Sequence, residues 1–232
     1  MGNIVKKFIE KNKDAYNTIA ASFSATRSYL WEDLKPLRQY VKDGDSILDV
    51  GCGNGRLFQL FEGMNISYTG IDQSDELIQI AKKKFPKGTF IVGEMTKLPL
   101  LNATADIIFC IGAFHHLPTD ETRKDTLQEM KRVLIQGGTI VMTNWNLQSE
   151  WGKEQFATGK WKKGETADHA IVPWKKDGMV VGERHYWHLT SDHIAVLADA
   201  VGIRVVEQYY TKKGEISDEK NGYNLVSVLR YA

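Results

Sequence analysis

Short apolar runs alternate with amphipathic stretches through the first two thirds of the chain. Ile47–Val50, Tyr68–Asp72, Thr89–Val92, Ala105–Cys110 and Thr139–Thr143 read as buried strands. Between them, Arg56–Phe61, Glu76–Ala81 and Thr119–Leu134 carry apolar residues at helical spacing. Lys82, Lys83 and Lys84 close the second of these helices and complement its C-terminus. Thr119 or Asp120 caps the third, with Leu127, Met130, Val133 and Leu134 as its inner stripe and Gln136-Gly137-Gly138 as its end. Such alternation requires an α/β fold, a doubly wound parallel sheet. Residues 202–210 and 223–231 add two strands, with Lys212-Lys213-Gly214 as a turn between them.

Two regions do not fit that rhythm. Residues 4–14 place Val5, Phe8 and Ile9 among Lys6, Lys7, Lys11 and Lys13, which predicts an amphipathic helix with a solvated lysine face rather than an RNA-binding arm. Residues 144–190 are too long for a plain connection, which marks the segment as functional or mobile. They hold five of the six tryptophans, Trp145, Trp151, Trp161, Trp174 and Trp187, interleaved with lysines. That composition suits either base stacking with phosphate contacts or a small satellite core. We expect one domain over 1–232, with an N-terminal helical cap over 1–40 and a substrate-side insertion over 144–190.

The chemistry centres on Asp49-Val50-Gly51-Cys52-Gly53-Asn54-Gly55, where the first strand runs into a glycine turn. Glycines let the backbone bend sharply and approach a ligand, and the free amides beyond suit an anionic group. Asp72 ends the next strand 23 residues after Asp49 (72 − 49), near the spacing that sets a carboxylate on a ribose diol. A nucleoside cofactor follows, although dinucleotide sites place the third glycine one position later than Gly55.

Charge and cysteine content narrow the rest. The net charge is +1, so any nucleic-acid contact must come from a local patch. Cys52 and Cys110 form no disulfide framework or zinc pattern, and the adjacent His115 and His116 lack metal-site context. We expect no metal, no membrane span, no signal peptide and a cytoplasmic setting.

LDVGCGNG followed by GIDQS resembles the class I S-adenosylmethionine-dependent methyltransferases. The resemblance implies a Rossmann-like seven-stranded sheet, parallel with an antiparallel C-terminal hairpin strand, and an insertion after the fifth strand. It puts the cofactor's methionine on Asp49, Gly51, Cys52, Gly53, Asn54 and Gly55, its ribose on Asp72 beside Gln73, and its adenine between Glu94 and Met95. The turn holding Ile111, His115 and His116 then faces cofactor and substrate.

YNTIAASFSATRSYLW narrows the likeness to the tRNA wobble-uridine carboxymethyl methyltransferases, both free-standing and fused to an AlkB-type hydroxylase. Asn17 and Glu32 stand where that family has Asp and Pro. Val172-Pro173-Trp174 and Arg184-His185-Tyr186-Trp187-His188 resemble two of its later motifs, in the same order.

By this resemblance Tyr16 and Arg27 serve the cofactor, with Arg27 equally suited to the substrate carboxylate. Arg184 is the candidate carboxylate clamp, and His188 and His115 are its catalytic neighbours. The implied partners are tRNA and a small zinc-binding activator subunit. A methyltransferase acting on a small quinone precursor or carboxylic acid would share everything up to Thr143, and a non-catalytic tRNA-binding scaffold is a third reading.

Overall fold

The computed structural model describes residues 3–231. Met1, Gly2 and Ala232, which the expected bounds 1–232 and 1–40 include, lie outside the described residues. Helix α1 runs over Asn3–Ala25, a single helix that joins the lysine-rich start to the aromatic stretch after it. Strands β1 (Ser46–Val50), β2 (Ser67–Asp72), β3 (Thr89–Val92), β4 (Ala105–Ile111) and β5 (Leu134–Trp145) follow. Helix α2 (Asp75–Lys84) lies between β2 and β3, and α3 (Asp120–Val133) between β4 and β5.

The insertion after β5 holds α4 (Glu150–Ala157), β6 (Lys162–Lys163), β7 (His169–Lys176) and β8 (Met179–Trp187). Helix α5 (Ser191–Ala200) then leads to β9 (Arg204–Lys212), β10 (Glu215–Ser217) and β11 (Asn224–Arg230).

Eight strands make the main sheet, in the order β10-β9-β11-β5-β4-β1-β2-β3. Strands β3, β2, β1, β4 and β5 pair in parallel, while β11 runs antiparallel to both β5 and β9. The sequence predicted seven strands. The eighth, β10, folds back on β9 across Lys213 and Gly214, whose φ values are 56° and 88°. At three residues it is too short to carry a periodic signal.

Alternation along the strands feeds two cores. Leu48, Val50, Ile108 and Met142 join the cluster under α3 and α5, whereas Ile47, Ile107, Phe109 and Val141 join the one on the opposite face. Strand order reverses between β1 and β4, so a crevice opens at the carboxyl ends there, where open α/β sheets take their ligands.

Two local expectations change, and the choice of cap for α3 is settled. The stretch after Gly55 is a 3₁₀ segment, Arg56–Phe61, rather than an α-helix. Helix α3 ends at Val133, so Gln136-Gly137-Gly138 lies inside β5 instead of ending the helix. Thr119 is the cap of α3 and forms a reciprocal capping box with Thr122.

The insertion is ordered. Its strands form a second, antiparallel three-stranded sheet, and Leu147, Trp161, Ala170, Val172 and Tyr186 build a satellite core with Trp145, Trp151 and Phe156 against it. The two motifs of the insertion are cross-strand partners, with Val172 opposite Arg184 and Trp174 opposite Gly182. Helix α1 lies across β8 and α2. Gly182 permits that approach, since a Cβ there would sit 3.2 Å from Ile19 Cγ2.

Candidate active site

Two cavities meet at Tyr16, Gly51 and Asp72. The first, about 740 Å³ with its open mouth, runs from the glycine turn to Arg27, Arg56, Trp145 and Arg184. The second is lined by Gln73, Glu94, Met95 and His116 together with Asn12 of α1. Helix α1 therefore roofs both cavities. At Gly51, φ is +76° and a Cβ would sit 2.3 Å from the Ala113 Cβ, so only glycine lets the turn pass so close to the β4 end.

Asp72 is fixed by backbone donors. Its Oδ2 accepts from the Gly53 N–H and its Oδ1 from the Ser74 N–H, both at 2.8 Å. Each oxygen keeps a second lone pair for a diol hydroxyl. Burial raises its pKa, and the backbone donors of Ser74, Gly53 and Gln73 act against that rise.

Asp49 is almost completely buried, at 1% exposure; Tyr68 donates to its Oδ2 at 2.5 Å, and its Oδ1 has no partner. Burial pushes its pKa up to about 7, the Tyr68 bond opposes this, and the Asp72 charge adds to it.

The cationic side is richer than the sequence suggested. Arg56, not foreseen as a site residue, stacks its guanidinium 3.8 Å from the Trp31 ring centre and leaves a buried Nη1 without a partner. Burial, and then the nearby Arg27 charge, lower its pKa to about 10, so it stays protonated at neutral pH.

Arg27 and Arg184 lie over the same Trp174 ring, at 5.6 and 5.1 Å. Burial, and then Arg184, lower the Arg27 pKa. None of these three arginines forms an ion pair among the described residues.

A hydrogen-bond chain orients Arg184. Its Nη1 donates to the Tyr186 hydroxyl at 3.0 Å, and that hydroxyl lies 3.3 Å from the Tyr16 hydroxyl. Tyr16 in turn lies 3.0 Å from His116 Nε2, and His116 Nδ1 lies 2.6 Å from the His185 carbonyl. A carbonyl can only accept, so we assign the His116 proton to Nδ1, and Tyr16 then donates to Nε2. Burial lowers the His116 pKa to about 4, which keeps that tautomer neutral. Burial pulls the Arg184 pKa down, but the Tyr186 and Tyr16 oxygens outweigh it and the net shift is upward. Its Nε is buried and unpartnered, free for an anion.

Other expected site residues lie elsewhere. His115 is 1% exposed and accepts from the Trp145 N–H behind the cavity wall. Burial and His116 hold its pKa well below the usual value. His115 still neighbours Arg184 through Tyr186, whose ring lies 4.9 Å from its own, whereas His188 lines neither cavity and its expected place beside Arg184 is not what the structure has. Asn54 turns away from the cavity and donates to Ser24 Oγ and the Arg27 carbonyl, tying the glycine turn to the end of α1. Gly55 also faces packing, against Phe90. Cys52, Gly53 and Ile111 do line the first cavity. No group of three or more His, Cys, Asp or Glu among the described residues is placed to hold a metal.

This sheet order and the roofed crevice are those of the Rossmann-like methyltransferase fold. The sequence model of the methyltransferase domain family matches residues 48–142. The tRNA (carboxymethyluridine(34)-5-O)-methyltransferase of Arabidopsis thaliana is 33% identical over 149 residues, 63% of this chain and 35% of that protein. The enzyme of the same name from Saccharomyces cerevisiae is 31% identical over 161 residues, 68% of this chain and 54% of that one. The chain thus spans about a third to a half of these relatives.

A Haloferax volcanii methyltransferase, solved in complex with the Trm112 methyltransferase activator, superposes with a TM-score of 0.68 at 19% identity, covering 95% of this chain and 97% of that one. At that identity the likeness shows the fold.

The site fits the cofactor. The diol acceptor, the close-approach turn and the unpartnered Asp49 Oδ1 and Arg56 Nη1 match a ribose, an amino-acid backbone, its ammonium and its carboxylate. A pH dependence follows from Asp49. An Asp49 that takes the cofactor ammonium has to be ionised to do so, and on that reading affinity should fall as pH drops through about 7, by up to tenfold per unit.

The ligand-free protein should respond the other way. A raised carboxyl pKa contributes stability below the unfolded value near 4, and that stability is lost as pH rises through about 7. Asp49→Asn should therefore raise the melting temperature of the free protein at pH 8 while weakening cofactor binding. Thermal scans and calorimetry from pH 6 to 8 check both.

Proposed function

We propose that the chain methylates tRNA, esterifying the carboxymethyl group of a modified wobble uridine. The observation that carries this reading is Arg184, held in the wall of the first cavity with an unpartnered Nε. It suits a planar carboxylate, which a guanidinium binds through two parallel donors. The names of the Arabidopsis and yeast relatives support the same substrate.

S-adenosylmethionine, when bound, supplies an electrophilic methyl group. Asp72 would hold the ribose, Glu94 and Met95 would flank the adenine, Asp49 would take the ammonium, and Arg56 or Arg27 the methionine carboxylate. A carboxylate of pKa about 4 is already ionised at neutral pH, so no side chain has to remove a proton. The residues act by positioning. Arg184 holds one edge of the carboxylate, Tyr186 and Tyr16 fix the guanidinium, and α1 roofs the cavity against water. The clamp must stay moderate, because over-stabilising the anion would raise the barrier.

RNA binding would use exposed lysines. Lys6, Lys7 and Lys11 are exposed on α1, and Lys163 is exposed on β6. Lys162, its neighbour, is paired with Glu183 at 2.9 Å, so Lys163 is the better phosphate contact. Lys163→Glu should weaken tRNA binding several-fold and lower its salt slope by about 1, with cofactor affinity unchanged. Filter binding at several salt concentrations tests this, and salt-insensitive binding would count against the RNA reading.

The activator subunit is proposed on the same footing. Strand β3 is a free sheet edge with Val92 exposed, a surface a partner strand can extend. The two buried, free cysteines suit a reducing cytosol.

A further inference from the structure

An open groove adjoins the first cavity. Its aromatic wall is Tyr29, Trp31, Trp145, Trp151 and Tyr223, and it shares Arg27, Trp31 and Trp145 with the cavity. Several of these rings already have partners. Trp145 is sandwiched between Tyr186 at 4.7 Å and Trp161 at 5.6 Å, and Arg56 lies over one face of Trp31. Tyr29 is the exception, 69% exposed and in no aromatic pair among the described residues.

The acids of the groove are engaged. Glu32 pairs with Lys35 at 2.8 Å, and Asp33 accepts from the Gly214 N–H and from Asn224 Nδ2. Arg27 and Lys213 form no ion pair among the described residues; with Glu32 neutralised by Lys35 and Asp33 held by neutral donors, the groove keeps one positive charge in excess. A free aromatic face beside unpaired cations matches an unstacked nucleobase and its phosphate.

We propose that this groove holds the nucleotide next to the one being methylated, its base on Tyr29 and its phosphate on Lys213 and Arg27. The assignment rests on the RNA reading above. Because the groove is continuous with the cavity that faces Arg184, a strand can enter both at once. A small-molecule substrate confined to the first cavity would leave the groove empty.

The test uses a synthetic anticodon stem-loop with 5-carboxymethyluridine at the wobble position and fluorescent 2-aminopurine beside it. Binding to the wild-type chain should quench the 2-aminopurine through stacking. Tyr29→Phe should keep the quench. Tyr29→Ala should lose it and raise KM for the stem-loop at least fivefold, about 1 kcal/mol, while S-adenosylhomocysteine affinity stays within twofold. Lys213→Glu should also raise KM.

If the wild type methylates the stem-loop and Tyr29→Ala matches it in quench and KM, the groove assignment falls and the tRNA reading stands. If the free carboxymethyluridine nucleoside is methylated as well as the stem-loop, the RNA reading fails and this assignment falls with it.

Discussion

Alanine at position 184 is expected to cut turnover on carboxymethyluridine tRNA at least tenfold, with cofactor affinity nearly unchanged. That loss corresponds to about 1.4 kcal/mol of transition-state stabilisation. The guanidinium is fixed through Tyr186, Tyr16 and His116, so orientation as well as charge is lost. Lysine at 184 should rescue only partly, since a point charge cannot offer two parallel donors. Tyr186→Phe should lower turnover less than Arg184→Ala does, because it frees the guanidinium without removing it. Single-turnover rates with saturating cofactor separate these effects from binding, and wild-type rates in the alanine variant would take Arg184 out of the site.

The second large effect is at Asp72. Asp72→Ala should weaken S-adenosylmethionine binding by at least tenfold, leaving the ribose hydroxyls unpaired. It also removes the acceptor for the Gly53 and Ser74 amides, so the turn itself loosens. Asp72→Asn keeps one acceptor oxygen and should lie between the two. Calorimetry decides this, and an alanine variant with unchanged affinity would move the ribose elsewhere.

Local pattern made the cofactor half of this site legible. The glycine turn, Asp49 and Asp72 lie within one strand–turn–strand unit, where spacing alone sets the geometry. The substrate half depends on long-range contacts. Arg184 and Tyr186 share a face of β8 by the two-residue period, while His185 turns to the other face and meets His169 at 2.9 Å. His188 has the same parity as Arg184, but it lies beyond the end of β8 at Trp187, so the alternation no longer places it.

The sequence pattern presents Arg56 only as the first residue of a helix, which hides its place in the site. A charged residue opening the apolar Leu57–Phe61 stretch, directly after the turn, was the available signal. The tryptophans of the insertion were ambiguous for a related reason. Trp161 is 6% exposed in the satellite core, while Trp174 has two arginines over its ring, and composition cannot tell these apart.

The central claim is tested most directly by methyl transfer itself. The chain would be incubated with S-adenosylmethionine labelled in its methyl group and with bulk tRNA lacking the ester, and the digested nucleosides analysed by mass spectrometry. The account predicts label in the methyl ester of carboxymethyluridine, released by mild alkali. Label on a different nucleoside, or transfer to a small carboxylic acid with none to tRNA, would contradict it.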